Sequence, residues 1–330
     1  MKVLEVENLK AYYIVDIYGV KRTVKAVDGV FLGINENKIV GIAGESGCGK
    51  TTLLKALAGI IKPPLMIRSG KVTYNFGDKD RVEITSLPED ELRKMSWEYF
   101  SYIPQGSMNV LNPVRRLQKT FHDFIAAHQR VENTRYKEAT VKHYLNTLGL
   151  PAEVLYSYPH QLSGGMKQRV TIALATILKP RVIFADEPTT ALDVVVQRGI
   201  IQLFRRIQEE QKNIIVLVTH DMAVQASIAD RIVIMYAGKI VEEGRTYDIF
   251  KNPLHPYTRY LVSSLPAIGD KSYKVSAPGN PPSLSNPPGG CRFHPRCPDA
   301  MSTCKKKSPL LVDIEDEHRV ACFLISKEGC

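Results

Sequence analysis

KIVGIAGESGCGKTTLLKAL, residues 38–57, decides the fold. An apolar run of strand length, KIVGIAG (38–44), feeds straight into GESGCGKT (44–51), and a helix-compatible LLKALAG follows. The eight residues satisfy G-x-x-x-x-G-K-[ST] in the strand-then-helix context that the motif requires. Gly44, Gly47 and Gly49 let the backbone curl so that N–H groups point inward, and the helix start adds the positive end of its dipole. Lys50 is then placed to reach terminal phosphates and Thr51 to hold Mg²⁺. Glu45, Ser46, Cys48 and Thr52 complete the phosphate-binding stretch, the Cys48 side chain being incidental to it. A glycine turn with no ligand is the competing reading, and the full set of elements in order argues against it.

Working outward, KVLEVENL (2–9) alternates apolar and polar residues like an edge strand. TVKAVDGVFLGI (23–34) repeats the pattern after a turn around Tyr18-Gly19. From about Pro88 to Leu150 the chain turns charged and helix-spaced, as in ELRKMSWEYF and RYKEATVKHYLNTLGL, which predicts a helical insertion over about 88–165. Beyond it, RVIFAD (181–186), NIIVLVTH (213–220) and RIVIMYAGKIVEEG (231–244) read as strands, with a helix from about Val195 to Gln211. Short apolar strands alternating with helices predict an α/β fold whose sheet is mainly parallel. The prolines and glycines between 266 and 290 read as a linker or irregular wrap.

At 330 residues the chain is expected to form one large domain plus an appendage, divided near residue 250. Its longest apolar runs are strand-length and no basic-apolar leader opens it, so neither secretion nor membrane spanning is expected. A net charge of +10 would suit nucleic acid, an anionic membrane face or a phosphate-rich ligand, and by itself selects none of them. The dense run KKK (305–307) reads as a solvated face.

VIFADE (182–187) ends an apolar strand in two carboxylates. Asp186 would complete a Mg²⁺ shell, and Glu187 would polarise attacking water or take its proton. Between this pair and the glycine loop lies LSGGMKQR (162–169), in which Leu162, Ser163, Gly164, Gly165 and Gln168 open a helix able to face an anion. With the glycine loop before it and the strand-DE after it, this octapeptide closely resembles the signature of ATP-binding cassette (ABC) proteins.

The resemblance covers about residues 1–250 and implies a P-loop nucleotide-binding fold with an N-terminal antiparallel β subdomain and a helical subdomain. It implies that the signature meets the γ-phosphate of ATP held by an opposite subunit. Gln105, in YIPQGSMNVLNP, corresponds to the loop residue that senses Mg²⁺ and water. TALD (190–193), with Asp193, resembles the loop crossing the dimer interface, Thr190 standing where Ser is commoner. His220 matches the switch histidine at the γ-phosphate. Tyr13 aligns with the aromatic that stacks on adenine, with Tyr12 adjacent.

NPLHPYTRYLVSSLP (252–266) resembles the C-terminal motif of importer ATPases for oligopeptides, dipeptides and related solutes. By itself it reads as a proline-started amphipathic helix with Tyr257, Tyr260 and Leu261 on one face. The resemblance implies an ATPase paired with a second, different cassette chain at the cytoplasmic face of the cell membrane. It further implies two membrane-spanning permease subunits and, indirectly, an extracytoplasmic solute-binding protein. Oligosaccharides or nickel are the alternative cargoes in this branch. A cassette ATPase with an iron–sulfur region acting on ribosomes or nucleic acid is the reading from another class, and the single cassette argues against it.

Four of the six cysteines are spaced Cys291-x5-Cys297-x6-Cys304-x17-Cys322. This lacks the close pairs of zinc ribbons, and disulfides are disfavoured in a reducing compartment. Four thiolates at loose, proline-flanked spacing are able to wrap a four-iron four-sulfur cluster, and peptide-importer ATPases with this tail resemble proteins that carry one. Zinc and free or paired thiols stay as alternatives. His294 is given a structural role, and Cys330 is set aside as unpaired.

Overall fold

The computed structural model describes residues 1–77, 81–128, 134–265, 277–315 and 317–325. Part of the expected linker, 266–276, and Cys330 lie outside the described residues. The chain divides into two compact units, Met1–Ser86 with Val218–Cys330, and Leu87–Leu217.

In the first unit, Lys2–Ile17 and Val20–Asn35 form a long antiparallel hairpin, closed where Tyr18 and Gly19 both take positive φ. Leu65–Asn75 and Arg81–Glu83 extend it to four antiparallel strands. A second group of strands runs in the order Val312–Glu315, His318–Val320, Lys239–Arg245, Arg231–Tyr236, Ile39–Ala43. Ile39–Ala43 is buried at every residue and lies parallel to Arg231–Tyr236, as a continuous apolar run should.

RIVIMYAGKIVEEG is not the single strand expected. Ala237 and Gly238 take φ of 45° and 83°, making a two-residue turn between antiparallel strands. The strands outward from Arg231–Tyr236 are therefore antiparallel, and the expectation of a mainly parallel arrangement gives way to a mixed one.

The cysteine-bearing tail, expected to be irregular, carries regular structure beyond residue 290. His318–Val320 pairs with Lys239–Arg245, placing Glu242 opposite Val320 and Glu243 opposite Arg319. Successive side chains of a strand point to opposite faces, so the two adjacent glutamates take two different partners. Arg319 Nη1 donates to Glu243 at 2.9 Å, and His318 Nε2 meets Glu242 at 2.8 Å, with both members of this second pair fully buried. A three-residue strand whose partner lies over seventy residues upstream has no local signature.

Glu242 also accepts the N–H groups of Leu254 and His255, fixing the entry to helix Pro256–Ser263. Pro256 occupies the first turn, where a missing N–H costs nothing, and His255 Nδ1 caps the helix by accepting from Tyr257 N at 3.0 Å. Tyr257 packs edge-on to Tyr236 at 4.6 Å and near Phe293 at 5.4 Å, which is the apolar face expected of this helix.

The cap works only while Nδ1 is unprotonated, and burial lowers the His255 pKa to about 4. Below pH ~6.5 the unfolded chain takes up a proton that the folded chain refuses, so stability is lost as pH falls from ~6.5 towards 4. The linked loss amounts to up to about 3 kcal/mol. In denaturant titrations from pH 7.5 to 4.5, His255→Asn should show a shallower decline than the wild type. Parallel declines would remove His255 as the cause.

In the second unit the strands run Ile214–Val218, Val182–Asp186, Phe100–Ile103, the last two parallel. Around them are helices Glu89–Met95, Leu117–His128, Thr134–Thr147, Gly164–Thr176 and Val194–Gln211. ELRKMSWEYF, read as helix-spaced, breaks after Met95: Trp97 takes φ 73°, and Phe100 begins a strand. Pairing with Val182–Asp186 overrides the local helical pattern there.

Candidate functional site

The buried strand Ile39–Ala43 delivers the chain into the glycine loop, and helix Lys50–Leu57 leaves it. The curl is set by close backbone approach. A Cβ on Gly44 would stand 2.2 Å from Met235 O, and one on Gly49 would stand 2.0 Å from Ala26 O. Both glycines have positive φ, 147° and 107°, so no other residue fits by conformation or by space. Lys50, buried at the first helical position, folds its ammonium over the loop, donating to Gly44 O at 2.7 Å and Glu45 O at 2.9 Å. Cys48 is buried beneath, and that burial pushes its thiol pKa up.

Of the two adjacent tyrosines, Tyr12 donates its hydroxyl to Asp28. Tyr13 accepts from Thr52 Oγ1 at 3.3 Å, which brings its ring beside the start of the loop helix. His220 is exposed two residues beyond strand Ile214–Val218. The turn before it is braced by Gln225, whose buried amide donates to Thr219 O at 3.1 Å and to Ile42 O at 2.9 Å. The histidine turn is thereby tied to the strand that carries the glycine loop.

In the other unit, Asp186 closes strand Val182–Asp186 and is buried, accepting from Tyr102 Oη at 2.9 Å. Glu187 is next, with φ 46°, in the left-handed region that a non-glycine residue rarely occupies. One carboxylate oxygen of Glu187 accepts from both Gln105 Nε2, at 3.0 Å, and Thr190 Oγ1, at 2.9 Å. Gln105, Glu187 and Thr190 thus form one hydrogen-bonded group.

Ser163 caps helix Gly164–Thr176, accepting from Met166 N, and Leu162 is buried beside it. Gly165 has no room for a side chain, since a Cβ would stand 2.7 Å from Val196 Cγ1. Gln168 points inward and accepts from Ser107 Oγ at 2.7 Å, so its amide braces the helix and is not presented to a ligand. Asp193 caps helix Val194–Gln211 by accepting from Val196 N at 2.9 Å.

Cys291, Cys297, Cys304 and Cys322 all line one small cavity, with Phe293 and His294 among its other walls. Burial, and then the nearby Cys304, Cys322 and Cys297, push the Cys291 thiol up to about 11. Among the described residues, however, no three His, Cys, Asp or Glu side chains stand at the spacing of a preformed metal site. Convergence on a cavity and preformed ligand geometry are different properties, and the cysteines have the first. The tail is also tied to the rest of its unit by Arg292, whose guanidinium donates to Asp28 and to Ala237 O.

Reasoning from sequence missed Gln225, Arg292, Tyr257 as the hydroxyl that accepts from Glu45 N, and Arg296, which donates to the Glu45 carboxylate. Gln225 left one signal, a polar residue on the buried side of helix Met222–Ile228. Among the described residues no helix is long and apolar enough to cross a membrane.

Residues 27–190 match the ABC transporter family, and residues 241–304 match the oligopeptide/dipeptide transporter C-terminal region. The chain is 44% identical over 330 residues to the dipeptide transport ATP-binding protein DppD of Caldanaerobacter subterraneus subsp. tengcongensis, covering 98% of this chain and 97% of that protein. It is 36% identical to the oligopeptide transport ATP-binding protein AppD of Bacillus subtilis, covering 99% and 98% of the two chains. Among solved structures, a dimeric post-hydrolysis state of the ATP-binding cassette MJ0796 bound to ADP and Pi is similar, with TM-score 0.62 and 27% identity. That likeness covers 74% of this chain and 98% of MJ0796.

Proposed function

The chain belongs to the ABC transporter family, and from that premise we propose that it is the ATP-hydrolysing subunit of an importer for dipeptides, oligopeptides or a related solute. The observation that carries this reading is similarity over nearly the whole chain to dipeptide and oligopeptide transport ATP-binding proteins, including their C-terminal region. The chain works at the cytoplasmic face of a membrane, with a second cassette chain and separate membrane-spanning subunits.

In this reading the glycine loop, residues 44–52, binds the ATP phosphates, with Lys50 countering their charge and Tyr13 stacking on adenine. Thr51, Asp186 and Gln105 are the residues for Mg²⁺, whose chemistry is charge neutralisation on the phosphates. Glu187, held by Gln105 and Thr190, takes the proton of the attacking water, and His220 contacts the γ-phosphate. Ser163, Gly164 and Gly165 face the ATP of the partner cassette, with Asp193 in the loop that crosses the interface.

The test is ATP hydrolysis by the chain assembled with its membrane subunits and binding protein in vesicles. Peptides should accelerate turnover and be taken up. A response to nickel or an oligosaccharide alone would change the solute class. Turnover driven by RNA without membrane partners would replace the reading altogether.

We assign Cys291, Cys297, Cys304 and Cys322 to a four-iron four-sulfur cluster, with zinc as the alternative. Their convergence on one cavity and the soft thiolate donor set support it. When bound, the group cross-links segments of the tail. Iron and acid-labile sulfide after anaerobic purification should reach about four each per chain, the composition of one such cluster. Stoichiometric zinc without iron would select the alternative, and neither metal would remove the assignment.

A further inference from the structure

Glu45, the first variable residue of the glycine loop, is held at every polar atom. Its N–H donates to Tyr257 Oη at 2.8 Å, its C=O accepts from Lys50 at 2.9 Å, and its carboxylate receives both arms of Arg296, at 2.7 and 2.9 Å. Arg296 is itself buried, 7% exposed. Its other hydrogen bonds go to Pro278 O (2.7 Å), Ala277 O (3.1 Å) and Tyr236 Oη (3.2 Å). All five guanidinium donors are therefore used. The arginine lies 251 residues beyond the loop it grips, on the short turn His294–Arg296 that leads into Cys297.

A carboxylate within a phosphate cradle opposes the charge that the cradle exists to bind, unless a cation neutralises it. A fork-to-fork guanidinium pair does so and also fixes the orientation of the residue, which a lysine would not do. We propose that Arg296 is a positioning residue for ATP binding: it neutralises Glu45 and, with Tyr257, holds the glycine loop in its phosphate-accepting curl, so that the cysteine-bearing tail is part of the nucleotide site. The proposal rests on the ATPase reading above.

The test measures MgATP binding to the full-length chain by calorimetry, with steady-state KM and kcat, for wild type, Arg296→Gln, Arg296→Lys, Glu45→Gln and the Arg296→Gln/Glu45→Gln double variant. Arg296→Gln should weaken MgATP about tenfold, and the loss should appear in KM rather than in kcat. The double variant should recover most of the affinity, because the uncompensated carboxylate is gone; a purely structural anchor gives no such recovery. Arg296→Lys should fall between and serves if Arg296→Gln does not fold. Affinity within twofold of wild type in both Arg296 variants would overturn the proposal, as would a loss that Glu45→Gln fails to rescue. A wild-type chain that does not bind MgATP at all would instead overturn the ATPase reading beneath it.

Discussion

Glu187→Gln should stop ATP turnover while leaving ATP binding in place. The substitution keeps the size of the side chain, and its amide oxygen still accepts from Gln105 Nε2 and Thr190 Oγ1, so the hydrogen-bonded group survives. What disappears is the ability to take a proton. Loss of a positioned general base costs roughly 10²–10⁴-fold in rate. The left-handed backbone at Glu187 adds to the argument, because an uncommon conformation kept at a charged residue aims that side chain at the expense of local stability. Steady-state phosphate release should fall by at least about 100-fold. With the second cassette chain of the proposed pair present, size-exclusion chromatography in MgATP should show the ATP-bound pair accumulating, since the proposed step that would dissolve it is blocked. Turnover within about threefold of wild type would take Glu187 out of its role.

The second large effect concerns stability. Glu242→Leu removes the common acceptor of Leu254 N–H, His255 N–H and His318 Nε2, the last two of them fully buried. Stranding buried polar groups in this way costs about 3–5 kcal/mol, equivalent to a melting temperature lower by on the order of 10 °C. The loss should be local as well as global: strand His318–Val320 and helix Pro256–Ser263 lose their shared anchor, so limited proteolysis should open new cleavage sites beyond residue 250. The double variant Glu242→Leu/His318→Leu should cost less than the sum of the single changes, because two apolar side chains replace a pair. An unchanged melting temperature for Glu242→Leu would show that the buried pair contributes nothing.

What could be read from the sequence follows from where each signal lies. KIVGIAG announces a buried strand because all its information is local and apolar, and the glycine loop announces itself because Gly44 and Gly49 tolerate no substitute. The break inside ELRKMSWEYF, the turn at Ala237-Gly238 and the three-residue strand at His318 were not legible. The break and the short strand are decided by partner strands far away in the chain, whereas the turn joins neighbouring strands and lacks the Asn-Gly or Asp-Gly pair that marks a two-residue hairpin. The residue types for phosphate, water and Mg²⁺ chemistry stand in recognisable order. Two of the hydrogen bonds that aim them, Gln105 to Glu187 and Arg296 to Glu45, join residues far apart in the chain with no shared local pattern. Arg296 illustrates the limit: between two cysteines an arginine reads as solvated charge, and only the fold reveals that it is buried against the glycine loop.

The pairing of His318–Val320 beside Lys239–Arg245 bears on how the protein is made. During synthesis the first 250 residues leave the ribosome well before the segment that covers this edge. Until residue 320 emerges, Lys239–Arg245 is a bare edge, and its two buried glutamates lack their tail partners. Such an edge templates pairing with other nascent chains. A chain cut short of residue 318 would leave that edge unpaired, so the late segment 318–320 completes the sheet that the earlier residues begin.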